Sequence, residues 1–234
     1  MRTTGPVLPA LTADQMREID RIMIDELHID LIQMMENAGR SLADLAQRRY
    51  APANAVVLAG PGGNGGGGLV AARHLANRGI DVQVVLARDT PRVPAVDRQL
   101  DILHRMDVPI LAQPPHHTEL VLDALLGYSL RGNPRGRAAS LIAWANASAA
   151  PVLSLDNPSG LDVTTGEAAV PSIRADATLT LALPKLGLAN SPAVGRLYLA
   201  DISVPPQAYA RLGLDVGSPF TAGPVIELDD GWSA

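Results

Sequence analysis

The chain has 234 residues, of which 47% are apolar, 18% charged and 3% aromatic, with a formal net charge of −5 and no cysteine. Such a length can bury the core of one α/β domain, and the apolar share excludes a disordered chain. The lack of cysteine excludes disulfides, thiolate metal sites and cysteine nucleophiles, while scattered basic residues and few aromatics argue against a nucleic-acid or anionic-membrane surface.

The N-terminus, MRTTGPVLPALTADQMREID, lacks the apolar run of a signal peptide. No stretch approaches the roughly 20 apolar residues that span a bilayer. A soluble cytoplasmic protein is therefore expected. Residues 1–8 and 229–234 read as loose ends. Thr12 and Gln15 form a capping-box signal, and Met16, Ile19 and Met23 follow at helical spacing. A second helix is predicted from Leu31 to Tyr50, with Met35, Ala38, Leu42 and Leu45 on one face.

The run AVVLAG (55–60) is continuously apolar, as in a buried parallel strand. A glycine-rich stretch follows, read as a loop, and GLVAARHLANRG (68–79) is predicted as a helix stopped by Gly79. DVQVVLA is a strand, AVDRQLDILHRM a helix, ELVLDALLG a strand, GRAASLIAWANAS a helix and PVLSLDNPSG a strand entering a loop. ADATLTLALPK and GRLYLADISVP are further strands, without long helices between them. The alternation predicts a Rossmann-like three-layer α/β/α sandwich with a mostly parallel sheet and an edge that can be mixed. No repeat or linker divides it.

Glycine loses the most conformational freedom on ordering, so a run of glycines between a strand and a helix calls for a reason. One reading is a tight turn. The other is a backbone cradle for phosphate at a helix N-terminus, beyond the carboxyl end of a strand. No GK[ST] follows the run, so it is not a Walker loop. Asn64 is its one functional side chain. Two further strand ends carry polar groups: Asp123 before a loop with Gly127 and Gly132, and Asp156 before Asn157, Pro158, Ser159 and Gly160. An isolated Asp is more often a turn or cap residue, but three such loops converge on one rim. Their oxygens suit a hard cation. Adjacent His116 and His117, with no third ligand in view, read as solvated. His74 reads as a helix-surface residue, and Lys185 in LPKLG as a solvated loop lysine, with a place beside Asp156 as the other reading.

The ordered series LTADQMREID, MMENAG, GPGGNGGGGLVAARHL, DALLGYSLRG, LDNPSGLDVTTG, ADATLTLALPKLGL and GRLYLADISVP resembles the YjeF N-terminal domain family, over about residues 11–206. The resemblance implies an NAD(P)H-hydrate epimerase, usually dimeric, with a bound potassium ion and hydrated NADH or NADPH as substrate. It implies that the R form is turned into the S form for a separate ATP- or ADP-dependent dehydratase. The chain is expected to be too short to include the dehydratase domain that some relatives have fused behind this one. By the same resemblance, Gly63, Asn64, Gly65, Gly66 and Gly67 contact the nucleotide. Gly127, Tyr128, Ser129, Leu130, Arg131, Gly132 and Asn133 wrap its phosphate-bearing part. Asn64, Asp123 and Ser159 bind potassium, and Asp156 contacts the hydrated ring and carries acid–base catalysis.

Family loops read N-N-G-G-D-G, whereas this chain has Gly63 and Gly67 in place of the first Asn and the Asp. It also has Asn157 where relatives carry a small apolar residue, a position from which the hydrogen bonding of Asp156 could change. Two other readings fit the same residues. One is a non-catalytic nucleotide-binding or scaffold module, and the other an enzyme for a different nucleotide.

Overall fold

A computed structural model describes residues 8–88, 93–130, 132–189 and 191–228. Helix α1 (Ala13–Arg21) starts at the expected capping box, in which Thr12 and Gln15 satisfy each other's backbone. A turn of wider helix (Ile22–Glu26) extends it. Helix α2 (Leu31–Tyr50) has a second capping box, built by Asp30 and Gln33. Strands β1 (Asn54–Ala59), β2 (Asp81–Leu86), β3 (Ile110–Leu111), β4 (Val121–Ala124), β5 (Val152–Leu155), β6 (Ala177–Leu181), β7 (Arg196–Ala200) and β8 (Val225–Glu227) alternate with α3 (Gly63–Ala76), α4 (Pro94–Arg105), α5 (Gly136–Ala147) and α6 (Pro206–Ala210).

The eight strands form one sheet in the order β3-β2-β1-β4-β5-β6-β7-β8. Every neighbouring pair is parallel except β7–β8, so the mixed edge is the short last strand. Strands β5, β6 and β7 run parallel although long connections without full helices join them. The strand order reverses between β1 and β4, which opens a crevice at their carboxyl ends. Along β1, Ala55, Val57 and Ala59 pack under α1 to α4, while Val56 and Leu58 pack under α5. This period of two makes both faces apolar, the signature of a strand buried on both sides.

The glycine run is not a loop. Helix α3 starts at Gly63, five residues before the expected start, and Gly65 to Gly68 lie buried in its first turns. A Cβ at Gly65 would lie 1.8 Å from the Gly60 carbonyl oxygen, and one at Gly66 would lie 2.5 Å from the Met35 Cε. At Gly67 it would lie 2.7 Å from a Leu155 methyl, and at Gly68 2.5 Å from the Ala124 Cβ. Removing side chains lets α3 rest directly on β1, β4, β5 and α2. The glycines satisfy close packing, and their backbone is ordinary right-handed helix.

Two smaller readings also change. Leu8 is buried against the core, so the ordered chain begins before Leu11. His74 is not an open surface residue: its Nε2 sits 2.8 Å from Glu36 Oε1, beside Arg73 on the same carboxylate. The expected loose C-terminus, 229–234, lies outside the described residues.

The packing separates the glycines by test. Gly63 is exposed and its nearest prospective neighbour is 3.8 Å away. Gly63→Ala should change unfolding free energy in urea by less than about 1 kcal/mol. Gly65→Ala should cost at least about 1–3 kcal/mol, because the clashing atom is backbone. Equal effects would contradict the packing role.

Candidate active site

A cavity of about 550 Å³ opens at the carboxyl ends of β1, β4, β5 and β6. Pro61 to Asn64 reach it from the start of α3, Leu125 to Leu130 from the loop after β4, and Asp156 from the end of β5. Met16 and Asp20 of α1, and Leu31, Met34, Met35 and Ala38 of α2, supply a largely apolar wall. An apolar concavity with a few converging polar groups is the usual form of a small-molecule site.

Asp156 is 4% exposed and sits at φ +67°, a left-handed conformation that few residues other than glycine adopt. Its N–H donates to the Leu179 carbonyl at 2.7 Å, which pins the turn to β6. Lys185 is wholly buried, contrary to the solvated reading. Its ammonium donates to Asp156 Oδ1, to Thr180 Oγ1 at 3.1 Å and to the Leu181 carbonyl at 2.8 Å. All three protons are thereby used. The other carboxylate oxygen, Oδ2, faces Gly127, 3.7 Å from where a Cβ there would stand. A buried ammonium holds one edge of the carboxylate, and the second edge is left for a ligand.

Asp123 and Ser159 come together below the cavity. Ser159 Oγ donates to Asp123 Oδ1 at 2.6 Å and its N–H donates to Oδ2 at 2.9 Å. Ser154 Oγ adds a bond at 2.8 Å and the Leu125 N–H one at 3.3 Å. Burial raises the Asp123 pKa, and these hydrogen bonds offset part of the rise. Asn64 forms no bond to either residue. Its amide oxygen and nitrogen are both buried and unpartnered, and its Cγ lies 3.5 Å from the Cβ position of Gly127.

The other expected residues divide. Gly63, Asn64, Gly67, Gly127, Tyr128, Ser129 and Leu130 line the cavity, whereas Gly65 and Gly66 are packed behind it. Gly132 and Asn133 line an adjoining depression with Arg17 and Gly160, and Tyr128 and Leu130 border both spaces. Arg131 lies outside the described residues. Asn157 makes no hydrogen bond to the Asp156 carboxylate: its Nδ2 donates to the carbonyls of Leu126 and Pro158. His116 and His117 are exposed at a separate hollow beside Trp144.

Sequence reasoning missed Asp20. Tyr128 donates its phenolic proton to Asp20 Oδ2. Burial pushes the phenol pKa well above its usual range, with the neighbouring Asp20 charge adding to the rise. The available signal was the position of Asp20 four residues after buried Met16, flanking the apolar face of α1. For Lys185 it was a lone lysine in the otherwise apolar run Leu183-Pro184-Lys185-Leu186, shortly after a buried strand.

Residues 31–187 match the family described as YjeF-related protein N-terminus. The chain is 43% identical over 232 residues to an NAD(P)H-hydrate epimerase of Dehalogenimonas lykanthroporepellens, covering 96% of this chain and 94% of that one. It is 42% identical over 194 residues to a bifunctional NAD(P)H-hydrate repair enzyme of Hyperthermus butylicus, of which it spans 36%. The crystal structure of yeast ynu0 superposes with a TM-score of 0.83 at 25% identity, covering 94% of this chain and all of that one.

Removing one member of a buried ion pair strands the other charge. Lys185→Met should lower stability by about 3–5 kcal/mol at neutral pH, and adding Asp156→Asn should recover part of that loss. A chemical-denaturation cycle on the four proteins measures this. A loss under about 1 kcal/mol would contradict a desolvated pair.

Proposed function

The chain belongs to the YjeF-related N-terminal family, and from that membership and the Asp156–Lys185 geometry we infer its reaction. It is an isomerase, an NAD(P)H-hydrate epimerase, acting in the repair of hydrated NADH and NADPH. The observation that carries the mechanism is the carboxylate at the cavity's inner wall, clamped on one oxygen and open on the other.

Water adds to the enamine of a reduced nicotinamide at the carbon beside the ring nitrogen. Inverting that carbon requires its hydroxyl to leave and return, or the ring to open and close. Either course moves protons, and a positioned carboxylate supplies roughly 10²–10⁴-fold. Asp156 Oδ2 is the group we assign to it. Lys185 is a positioning residue, since its three donors are committed. The apolar wall from Met16, Leu31, Met34 and Met35 keeps bulk water from the ring. The start of α3, with Gly62, Gly63 and Asn64 at the cavity, favours the pyrophosphate through first-turn N–H groups. The adjoining depression at Gly132 and Asn133 suits the rest of the nucleotide. By the same family reading, the R form is turned into the S form for a dehydratase.

We further propose that Asn64, Asp123 and Ser159 hold a potassium ion. Support comes from the orphaned Asn64 amide and from Asp123, a buried carboxyl whose hydrogen-bond partners are all neutral. The donors are oxygens, as a hard cation requires. Once bound, the ion would neutralise Asp123 and tie the first turn of α3, which carries Asn64, to the loop that carries Ser159. One domain over the whole chain, homodimeric assembly and a cytosolic location extend the same family reading. No helix among the described residues is long and apolar enough to cross a membrane.

Two outcomes are expected. Asp156→Asn should slow R-to-S conversion, followed by chromatography of the hydrate epimers, by on the order of 10²–10⁴-fold with circular dichroism unchanged. A variant as fast as the parent removes Asp156 from the acid–base role. Potassium chloride should raise the melting temperature above that in choline chloride, and Asn64→Ala should abolish the difference. In choline the alanine variant should melt no lower than the parent, because truncation removes an unsatisfied amide. A potassium effect that survives Asn64→Ala would move the ion elsewhere.

A further inference from the structure

Two carboxyl groups enter the cavity from different elements, and their surroundings differ. Asp156, at the end of β5, is fixed by the buried ammonium of Lys185. Asp20, near the end of α1, has a single hydrogen-bond partner among the described residues, the neutral phenol of Tyr128, and that bond takes only Oδ2. Oδ1 carries none. Two carboxyls on one reacting centre, one paired with a cation and one not, form the arrangement that separates an acid from a base.

We propose that Asp20 is a second catalytic residue, the proton donor to the departing hydroxyl, while Asp156 receives a proton from the incoming water. This rests on the epimerase reading. The Asp20 carboxyl gives its proton to the hydroxyl on the hydrated carbon. The ring nitrogen's lone pair forms a C=N⁺ bond as the C–O bond breaks, and water departs. Water then adds to the other face of the cationic ring, its oxygen supplies the new C–O bond, and the nitrogen recovers its lone pair. Asp156 takes the released proton. Nothing is oxidised or reduced. One proton has passed from Asp20 to Asp156, and exchange with solvent resets both.

The groups facing Asp20 support this division. Burial raises its pKa first, and the like charge of Asp156 raises it further. The Tyr128 hydrogen bond and the Lys185 charge pull it down. Arg17, on the same helix, acts on Tyr128. The balance is upward, so the carboxyl stays protonated to higher pH than a surface Asp. Tyr128 also ties the loop after β4 to α1, which sets the carboxyl at the cavity edge.

The test is the pH dependence of R-to-S conversion of prepared NADH hydrate, with the unaided rate subtracted. The parent should show an alkaline limb, the rate falling as Asp20 loses its proton. Asp20→Asn should lower kcat by on the order of 10²–10⁴-fold, leave KM within a few-fold, and lose that limb. Tyr128→Phe removes the bond that favours the Asp20 carboxylate, so its limb should move to higher pH. An Asn variant with unchanged kcat and profile overturns the proposal, as does one altered in KM alone. If Asp20→Asn does not fold, Tyr128→Phe decides: an unmoved limb overturns the assignment. A parent no faster than the unaided reaction overturns the epimerase reading and this proposal with it, whereas an active parent with a normal Asn variant removes Asp20 alone.

Discussion

The ammonium of Lys185 has no exposed surface, and the carboxylate of Asp156 has almost none. Taking both charges out of water costs several kcal/mol per ion, a cost offset only by close geometry and complete hydrogen bonding. Thr180 and Leu181 provide that completion, from the end of β6. The pair fixes more than itself. Leu11 N–H donates to the Pro184 carbonyl, and Leu186 N–H donates to the Leu11 carbonyl, so the segment carrying Lys185 also holds the chain entering α1. Helix α1 is what brings Met16 and Asp20 to the cavity. The ends of β5 and β6 and the position of the N-terminal helix thus converge on one buried charge pair.

The second constraint is the distance between α3 and the sheet. Asn64 and the start of α3 reach the crevice because α3 lies almost in contact with Gly60, Ala124 and Leu155. Only residues without a Cβ allow that approach. Gly67 leaves its space to the Leu155 side chain, so this part of the wall is apolar. Among the described residues, the acidic groups at the cavity are Asp20 of α1 and Asp156 at the end of β5.

Most of the architecture was legible because its signals are local. The Thr12–Gln15 capping box and the apolar face of α2 appear where expected, and the continuous apolar run at 55–59 is a strand buried on both faces. Strands β3 and β8 were not read, being two and three residues long and held by pairing with a neighbour rather than by pattern. The glycine run misled because low helix propensity is a property of the isolated segment, whereas here tertiary packing decides. The chemistry divides in the same way. Asp156 and Ser159 follow the end of β5, and Asp123 lies near the end of β4, so each carries a position in the sequence. Lys185 looked solvated because its partner is 29 residues away, and Asp20 meets Tyr128 across 108 residues. Such pairings appear only when the strand order brings distant loops together.

The most direct measurement of the central claim is a crystal structure of the Asp156→Asn protein with the R form of hydrated NADH bound. The hydrated carbon should lie against residue 156, within hydrogen-bond reach of the position of Oδ2, with Lys185 still on the opposite edge of that side chain. A nucleotide whose hydrated ring sits instead in the depression at Gly132 and Gly160, away from residue 156, would contradict the assignment of Asp156 and Lys185 to the reaction.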